Sequence, residues 1–66
     1  MCVGERIKLY LAESGISQTH VSNKSGIPIK KLNLALNGKR KINLDEYSAI
    51  CDALNVPTGM FLRKEG

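Results

Sequence analysis

Apolar residues recur every three or four positions along most of this 66-residue chain, and glycine, asparagine and proline separate the apolar stretches. This spacing indicates helices, because a strand would alternate apolar and polar side chains. The first stretch predicts a helix over Val3–Ser14, and Gly15 is placed to end it. The apolar face of this helix comprises Val3, Ile7, Tyr10 and Leu11.

Two shorter helices are expected next, joined at Gly26. The first covers Gln18–Ser25, with Ser17 as its N-cap, because a serine hydroxyl can accept a hydrogen bond from the first helical turn. The second covers residues 28–36, since proline suits the first helical position. The pair Asn37–Gly38 is placed to end it.

A fourth helix is expected to begin after Asn43, because Asn43 and Glu46 have the spacing of a capping box. Residues 55–57, with the sequence Asn-Val-Pro, would end it. A fifth and very short helix is expected over about residues 58–63. The apolar stripe of the fourth helix comprises Leu44, Tyr47, Ile50, Cys51 and Leu54.

Five short helices with brief connections predict one compact all-α domain over residues 1–66. A chain this short buries about 60% of the surface of its unfolded state, so we expect a small core. The predicted core comprises Ile7, Leu11, Ile16, Val21, Ile27, Leu32, Ala35, Leu36, Ile42, Leu44, Tyr47, Ile50, Cys51, Leu54, Val56 and Phe61.

The charge of the chain is unevenly distributed. The net charge is +4, from ten lysines and arginines against six acidic residues. All six acids lie outside residues 14–44, whereas six basic residues lie inside, so this segment carries +6 and the rest carries −2. Charge of one sign concentrated in this way favours binding to a polyanion. A solvated basic face is the other interpretation, and charge alone does not decide between them.

Several other kinds of site find little support in the sequence. Cys2 and Cys51 lack a metal-binding spacing and the chain has one histidine, so we expect no metal and no other cofactor. Charged residues interrupt residues 1–15, which argues against a signal peptide, and no apolar run approaches the roughly 20 residues of a membrane span. We therefore expect a cytoplasmic protein with both thiols reduced. A secreted protein with one disulfide is the alternative.

The segment 18–37 has the pattern of a helix-turn-helix. Val21 and Leu32 are placed to meet in the angle between its two helices, and Gly26 can adopt the positive φ of a tight turn. Ser22 is small enough to let the helices approach. A purely structural helical hairpin would use the same residues, so this pattern leaves both interpretations open.

The sequence SQTHVSNKSGIPIKKLNLALNGKRKINL, residues 17–44, resembles the helix-turn-helix of the lambda-repressor-like family of bacterial and phage DNA-binding proteins, also called the XRE or Cro type. The sequence LDEYSAICDALNVPTGMF, residues 44–61, resembles the family's fourth helix and its ending. The resemblance implies a five-helix domain that binds duplex DNA, usually as a dimer, with the third helix in the major groove. The matching positions are Ser17, Gln18, Val21, Ser22, Gly26, Ile27, Leu32, Asn37 and Gly38.

The resemblance also implies roles for individual residues. Gln18, which opens the second helix, would touch a phosphate and brace the reading helix. Lysine can donate to guanine and asparagine can pair with adenine, whereas a basic loop attracts phosphates of any sequence. The implied base-reading residues are Ile29, Lys30, Lys31, Asn33 and Leu34. The implied phosphate-binding residues are Gln18, Thr19, Asn37, Lys39, Arg40 and Lys41.

The chain departs from the family's pattern at three leucines. Leu34 is expected to be exposed in the middle of the reading face, where many relatives carry a polar residue. It would contact a thymine methyl group, contact a protein partner, or be a tolerated surface leucine. Leu11 and Leu36 stand where many relatives carry an arginine and a glutamate that pair between helices. We expect these two leucines to contact each other, because packed apolar groups often replace such a pair without loss of stability.

These features favour a sequence-specific, double-stranded DNA-binding regulator of transcription, of the repressor type, that acts as a homodimer. The segment around residues 60–63 is the expected dimer surface. The alternative is a protein-interaction module that retains the fold, which an apolar Ile29 and Leu34 on the reading helix would favour. We expect no enzyme, because no paired carboxylates and no nucleophile beside a base are apparent. No membrane partner and no small-molecule effector are expected.

Overall fold

A computed structural model describes residues 2–62, and within them the chain forms four α-helices and no strand. The all-α prediction is therefore confirmed for this part of the chain. Three of the helix ranges agree with the sequence prediction, and the third helix begins one residue later than predicted, after Pro28. The helices are α1 (Val3–Ser14), α2 (Gln18–Ser25), α3 (Ile29–Leu36) and α4 (Leu44–Leu54).

Side-chain caps fix where two of the helices begin. The Ser17 hydroxyl accepts a hydrogen bond from the backbone N–H of His20 at 3.1 Å. At the start of α4, the side-chain oxygen of Asn43 accepts from the N–H of Glu46 at 2.8 Å, and the Glu46 carboxylate accepts from the N–H of Asn43 at 3.2 Å. These bonds satisfy N–H groups that the first turn of a helix leaves free. Both predicted caps are confirmed.

The predicted fifth helix is wrong within the residues that the structure describes. Residues 58–61 form a turn instead. In it, the N–H of Met60 donates to the carbonyl of Pro57 at 3.1 Å, and the N–H of Leu62 donates to that of Gly59 at 3.3 Å. So short a helix would gain too few hydrogen bonds to offset the cost of forming its first turn, and a glycine adds to that cost.

The hydrophobic core lies where the helices meet. Leu44 was predicted to belong to it, and that prediction is wrong, because Leu44 is 79% exposed. It is the first residue of α4 and borders an open groove, whose other apolar residues include Val3, Ile42 and Leu62. The predicted core residues that are buried are Ile7, Leu11, Val21, Ile27, Leu32, Ala35, Leu36, Tyr47, Ile50, Cys51 and Phe61. Those that are partly buried are Ile16, Ile42, Leu54 and Val56.

Helix α1 packs against α3 at very close range. Gly4 is buried at their contact, and a methyl group at this position would lie 2.0 Å from the carbonyl oxygen of Ala35. Only glycine fits there, because that neighbour is backbone and cannot turn aside. Leu11 and Leu36 both lie in the buried cluster. The direct contact expected between these two leucines stays a prediction.

Aromatic residues hold the end of the described chain against the helices. The Phe61 ring meets the rings of Tyr10 and Tyr47 edge to face, with centroid separations of 5.5 and 6.5 Å. The Tyr47 hydroxyl donates a hydrogen bond to the backbone carbonyl of Thr58. These contacts bury Phe61, as predicted, without a fifth helix. Arg63, the last residue of that predicted helix, lies outside the described residues.

Candidate nucleic-acid interface

Helices α2 and α3 meet in the geometry of a helix-turn-helix. Val21 on α2 and Leu32 on α3 are fully buried in the same hydrophobic cluster. Gly26 between them adopts a left-handed conformation with a φ of 79°, which a side chain would disfavour. The Ser22 hydroxyl donates to the backbone carbonyl of Ile27 across the turn at 2.6 Å. These contacts fix the angle at which α3 leaves α2.

One face of α3 is open to solvent. All five residues implied as base readers are exposed, and among them Ile29 is 46% and Leu34 is 39% exposed. The expected exposure of Leu34 is therefore confirmed. Lys30 and Lys31 add two positive charges to this face. The buried residues of the same helix are Leu32, Ala35 and Leu36.

A left-handed turn ends α3 and opens a basic loop. The N–H of Gly38 donates to the carbonyl of Ala35 at 3.1 Å, and that of Lys39 donates to the carbonyl of Leu34 at 2.9 Å. This is a Schellman motif, and it needs a positive φ, which is 74° at Gly38. Lys39 and Lys41 are exposed in the loop that follows. The basic loop thus begins directly at the end of the exposed helix α3.

Arg40 differs from its neighbours in this loop because its side chain turns toward α4. Its guanidinium donates two hydrogen bonds to the Glu46 carboxylate, at 3.0 and 2.9 Å. These bonds raise the pKa of Arg40 and are the main reason that the pKa of Glu46 is lowered. The backbone N–H of Asn43 lowers the pKa of Glu46 further. Arg40 therefore anchors the loop to α4, and the phosphate contact implied for Arg40 stays a prediction.

A chain of side-chain hydrogen bonds connects α1, α3 and α2. Lys8 Nζ donates to Asn37 Oδ1 at 2.6 Å. Asn37 Nδ2 donates to Asn33, to its Oδ1 at 3.3 Å and its backbone oxygen at 2.9 Å. Asn33 Nδ2 donates to Gln18 Oε1 at 3.2 Å, which is the bracing contact implied for Gln18. Sequence reasoning missed Lys8, because it lies 29 residues before Asn37 and only the fold brings the two together.

The arrangement of α2, α3 and the basic loop can be compared with known families. The family model of the Cro/C1-type HTH DNA-binding domain matches residues 6–61. The chain belongs to this family. The match includes all of α2, α3 and α4, so the exposed face of α3 and the basic loop both lie inside the Cro/C1-type domain. The resemblance seen in the sequence is thereby confirmed. No significant match was found among curated proteins or among solved structures.

The start of α2 gives the Cro/C1-type domain a second place suited to an anion. Gln18 and Thr19 open this helix, and its first turn contains no acidic residue. A helix N-terminus carries partial positive charge and free N–H groups, which favour a phosphate. By contrast, Asp45 and Glu46 stand in the first turn of α4 and would repel one. The start of α2 is therefore better suited to bind a phosphate than the start of α4.

Other chemistry is sparse in the described residues of the Cro/C1-type domain. Both cysteines are free thiols in the structure, with Cys2 exposed and Cys51 buried. Burial raises the pKa of the Cys51 thiol, so this thiol packs in the core in its protonated form. Within residues 2–62, no group of histidine, cysteine or acidic side chains is placed to hold a metal ion. None of the helices described there has the length and apolarity to cross a membrane.

Proposed function

We propose that this protein is a sequence-specific regulator of transcription that binds double-stranded DNA with α3 in the major groove. The exposed face of α3 is the observation that carries this proposal. It presents Lys30, Lys31 and Asn33, and lysine and asparagine are side chains that read guanine and adenine from the major groove. Membership in a DNA-binding family supports duplex DNA as the partner.

Phosphate contacts on both sides of α3 would hold it in register. Gln18 and Thr19 at the start of α2 would bind one phosphate, and Lys39 and Lys41 after α3 would bind others. The side-chain NH2 group of Asn37 already donates to Asn33, so the phosphate contact implied for Asn37 would have to compete with these bonds. Phosphate contacts orient the protein on the duplex, whereas base contacts supply the specificity. Because each neutralised phosphate releases counterions, DNA affinity should fall steeply with salt.

We also propose that two copies bind together through a C-terminal surface, made of Leu44, Met60 and Leu62. All three side chains are exposed. Leu44 and Leu62 line a mostly apolar groove of about 210 Å³, which a second copy would cover. Two α3 helices related by a two-fold axis would read half-sites about 34 Å apart. Occupancy of such an operator would exclude the polymerase, which is repression.

Selection from random-sequence duplex DNA, at a low and a high salt concentration, tests this function. We expect enrichment of a palindromic motif and a steep loss of affinity at high salt. Enrichment of a motif with one half-site would reject the homodimer and keep the DNA-binding role. Absence of binding to any duplex at low salt would reject the proposed function.

A protein-interaction module that retains this fold is the second candidate. Ile29 and Leu34 favour it, because both are large apolar residues that α3 exposes to solvent. A solvent-facing pair of this kind would suit an apolar partner surface as well as a thymine methyl group. The selection experiment separates the two candidates, since a protein-interaction module would enrich no DNA motif.

A further inference from the structure

We propose that Lys8 on α1 is a positioning residue for base reading, which acts through Asn37 to orient the amide of Asn33 so that Asn33 selects adenine. This inference rests on the proposed function, in which Asn33 faces the major groove. It is carried by the continuous run of side-chain hydrogen bonds from Lys8 Nζ through Asn37 and Asn33 to Gln18 Oε1. Lys8 itself would not contact DNA.

The lysine sets the direction of this chain, because an ammonium group can only donate hydrogen bonds. Asn37 must therefore turn its side-chain oxygen to Lys8, 2.6 Å away. The backbone carbonyl of Asn33 can only accept, and it accepts from the side-chain NH2 group of Asn37 at 2.9 Å. The contacts of Asn37 with Lys8 and with this carbonyl therefore require the same orientation of the Asn37 amide. The NH2 group of Asn37 then also faces Asn33 Oδ1.

The orientation of Asn37 determines that of Asn33 in turn. With its oxygen toward Asn37, Asn33 presents its NH2 group to Gln18 Oε1 at 3.2 Å. The NH2 group of Gln18 is then turned away from Asn33 and available to donate to a phosphate. A hydrogen-bond chain that begins at a charge is also strengthened along its length, because each polarised amide polarises the next.

Asn33 keeps one free donor and one free acceptor in this arrangement. An asparagine oxygen accepts two hydrogen bonds and its NH2 group donates two, and the chain uses one of each. Adenine offers an N6 donor and an N7 acceptor in the major groove, which match the remaining pair. Guanine offers two acceptors there, so a fixed Asn33 amide would prefer adenine.

Two other roles for Lys8 predict different results. A lysine that only attracts DNA would, when removed, weaken binding to all sequences equally. A lysine that only stabilises the fold would change the free energy of unfolding and leave base preference unchanged. A positioning residue instead changes the ratio of affinities between two bases at one position of the operator.

The first experiment measures that ratio for duplexes that carry adenine or another base at the position Asn33 reads, identified as the one whose preference is lost in Asn33→Ala. Lys8→Met should reduce the adenine preference about three- to tenfold. This factor is part of the discrimination between bases that a bidentate contact supplies. Lys8→Arg should retain most of it, since arginine also only donates. Lys24→Met, which removes the same charge from α2, should leave the ratio unchanged.

In the Asn33→Ala background, Lys8→Met should have no further effect on base preference, because the residue it positions is gone. If Lys8→Met weakens binding to all duplexes by the same factor, the positioning role is rejected. Asn37→Asp provides a second variant: it keeps a partner for Lys8 but removes the donor to Asn33. It should therefore lose the adenine preference as well.

The second experiment needs no DNA. In the free protein, Lys8→Met should shift the side-chain NH2 signals of Asn33 and Asn37 and make these protons exchange faster with water. In Lys8→Arg, the same signals should stay close to those of the unsubstituted parent protein. Unchanged Asn33 signals in both Lys8→Met and Asn37→Asp would overturn the inference, even for a protein that binds DNA well. If the parent binds no duplex, the proposed function fails, while these NMR signals still report on the hydrogen-bond chain.

Discussion

The guanidinium of Arg40 and the carboxylate of Glu46 are joined by two parallel hydrogen bonds, 3.0 and 2.9 Å long. The same carboxylate accepts from the N–H of Asn43 and completes the capping box of α4. Glu46 therefore ties the loop after α3 to the start of α4. Glu46 also neutralises the charge of Arg40, one of the three basic side chains in this loop. The other two, Lys39 and Lys41, are exposed.

Removal of Lys39 should reduce the salt dependence of DNA binding more than removal of Arg40. A lysine on a phosphate contributes about 0.9 to the slope of log affinity against log salt, so Lys39→Ala should lower the slope by about 1. Arg40→Ala should lower it by much less, because Glu46 already neutralises this charge. Titrations of one duplex at several salt concentrations measure both slopes. Equal changes would show that Arg40 leaves Glu46 to contact a phosphate.

Glu46→Gln should make the stability of the protein less sensitive to acid. Arg40 and the N–H of Asn43 favour the ionised carboxylate and lower the pKa of Glu46. Its stabilising contribution is therefore complete above the ordinary glutamate pKa of about 4.3 and is lost as pH falls through the lower folded-state pKa. The variant should be less stable than the parent at pH 7 and should approach it below about pH 4, as measured by urea unfolding.

Glu13→Gln on the exposed face of α1 is the matched control for this pH experiment, and should keep the parent's acid sensitivity. Glu5 contributes in the same sense as Glu46, because the backbone N–H of Cys2 lowers its pKa. Some acid sensitivity should therefore persist in Glu46→Gln. An unfolding curve for Glu46→Gln that depends on pH as steeply as the parent's would contradict the role given to the Arg40–Glu46 contact.

Gly4→Ala should destabilise the protein, although alanine ordinarily favours a helix over glycine. The added methyl group would lie 2.0 Å from the carbonyl oxygen of Ala35, so α1 and α3 must move apart. We expect a loss of about 1–3 kcal/mol in the free energy of unfolding. Gly59→Ala is the control, because no atom lies within 4 Å of its added methyl group. It should be neutral or stabilise by up to about 1 kcal/mol.

Leu44→Lys should weaken the proposed homodimer and leave the monomer folded. Leu44 is an exposed side chain in the C-terminal surface, so a lysine there costs the single chain little and places a charge in the proposed contact. Analytical ultracentrifugation over a range of protein concentrations measures the effect. Leu9→Lys alters an equally large exposed leucine on α1 and should leave dimerisation unchanged. If Leu9→Lys separates the copies instead, the dimer surface lies on α1.

Leu34→Ala should reduce a preference for thymine at one position of the operator. Its exposed side chain lies on the same helix as Lys30 and Asn33, and a leucine can pack against the thymine methyl group. The loss should be confined to that position when affinities for single-base variants of the operator are compared. An unchanged profile would assign Leu34 to a protein contact or to tolerated surface exposure.

The helices and their caps were predictable because they depend on residues close in sequence. Asn43 and Glu46 are three positions apart, and their capping box follows from that spacing alone. Ser17 caps α2 for the same reason. Leu44 shows the limit of this kind of prediction. The spacing of apolar residues shows which of them lie on the same face of a helix, but not whether another element covers the whole of that face. The fifth helix, which residues 58–62 do not form, shows a similar limit, since nothing local indicates that a turn suffices to bury Phe61.

The exposure of the candidate interface residues was predictable from the sequence, but the contacts among them were not. The family pattern implied that Lys30, Asn33 and the basic loop lie on one surface. In the structure, Arg40 is partly exposed, and the exposed residues are Lys30, Asn33, Lys39 and Lys41. The family pattern did not indicate that Lys8 reaches Asn37, or that Arg40 turns to α4. Both contacts arise because packing brings separate helices and loops together, and such contacts leave no pattern in neighbouring residues.

DNA binding through α3 is tested by titrating the isotopically labelled protein with duplex DNA at low salt and following its backbone amide NMR signals. The largest shifts should fall on α3, on the first turn of α2 and on residues 37–41. The second half of α4 should be almost unaffected. Shifts that avoid α3, or no shift on addition of any duplex at low salt, would show that the protein does not bind DNA through α3.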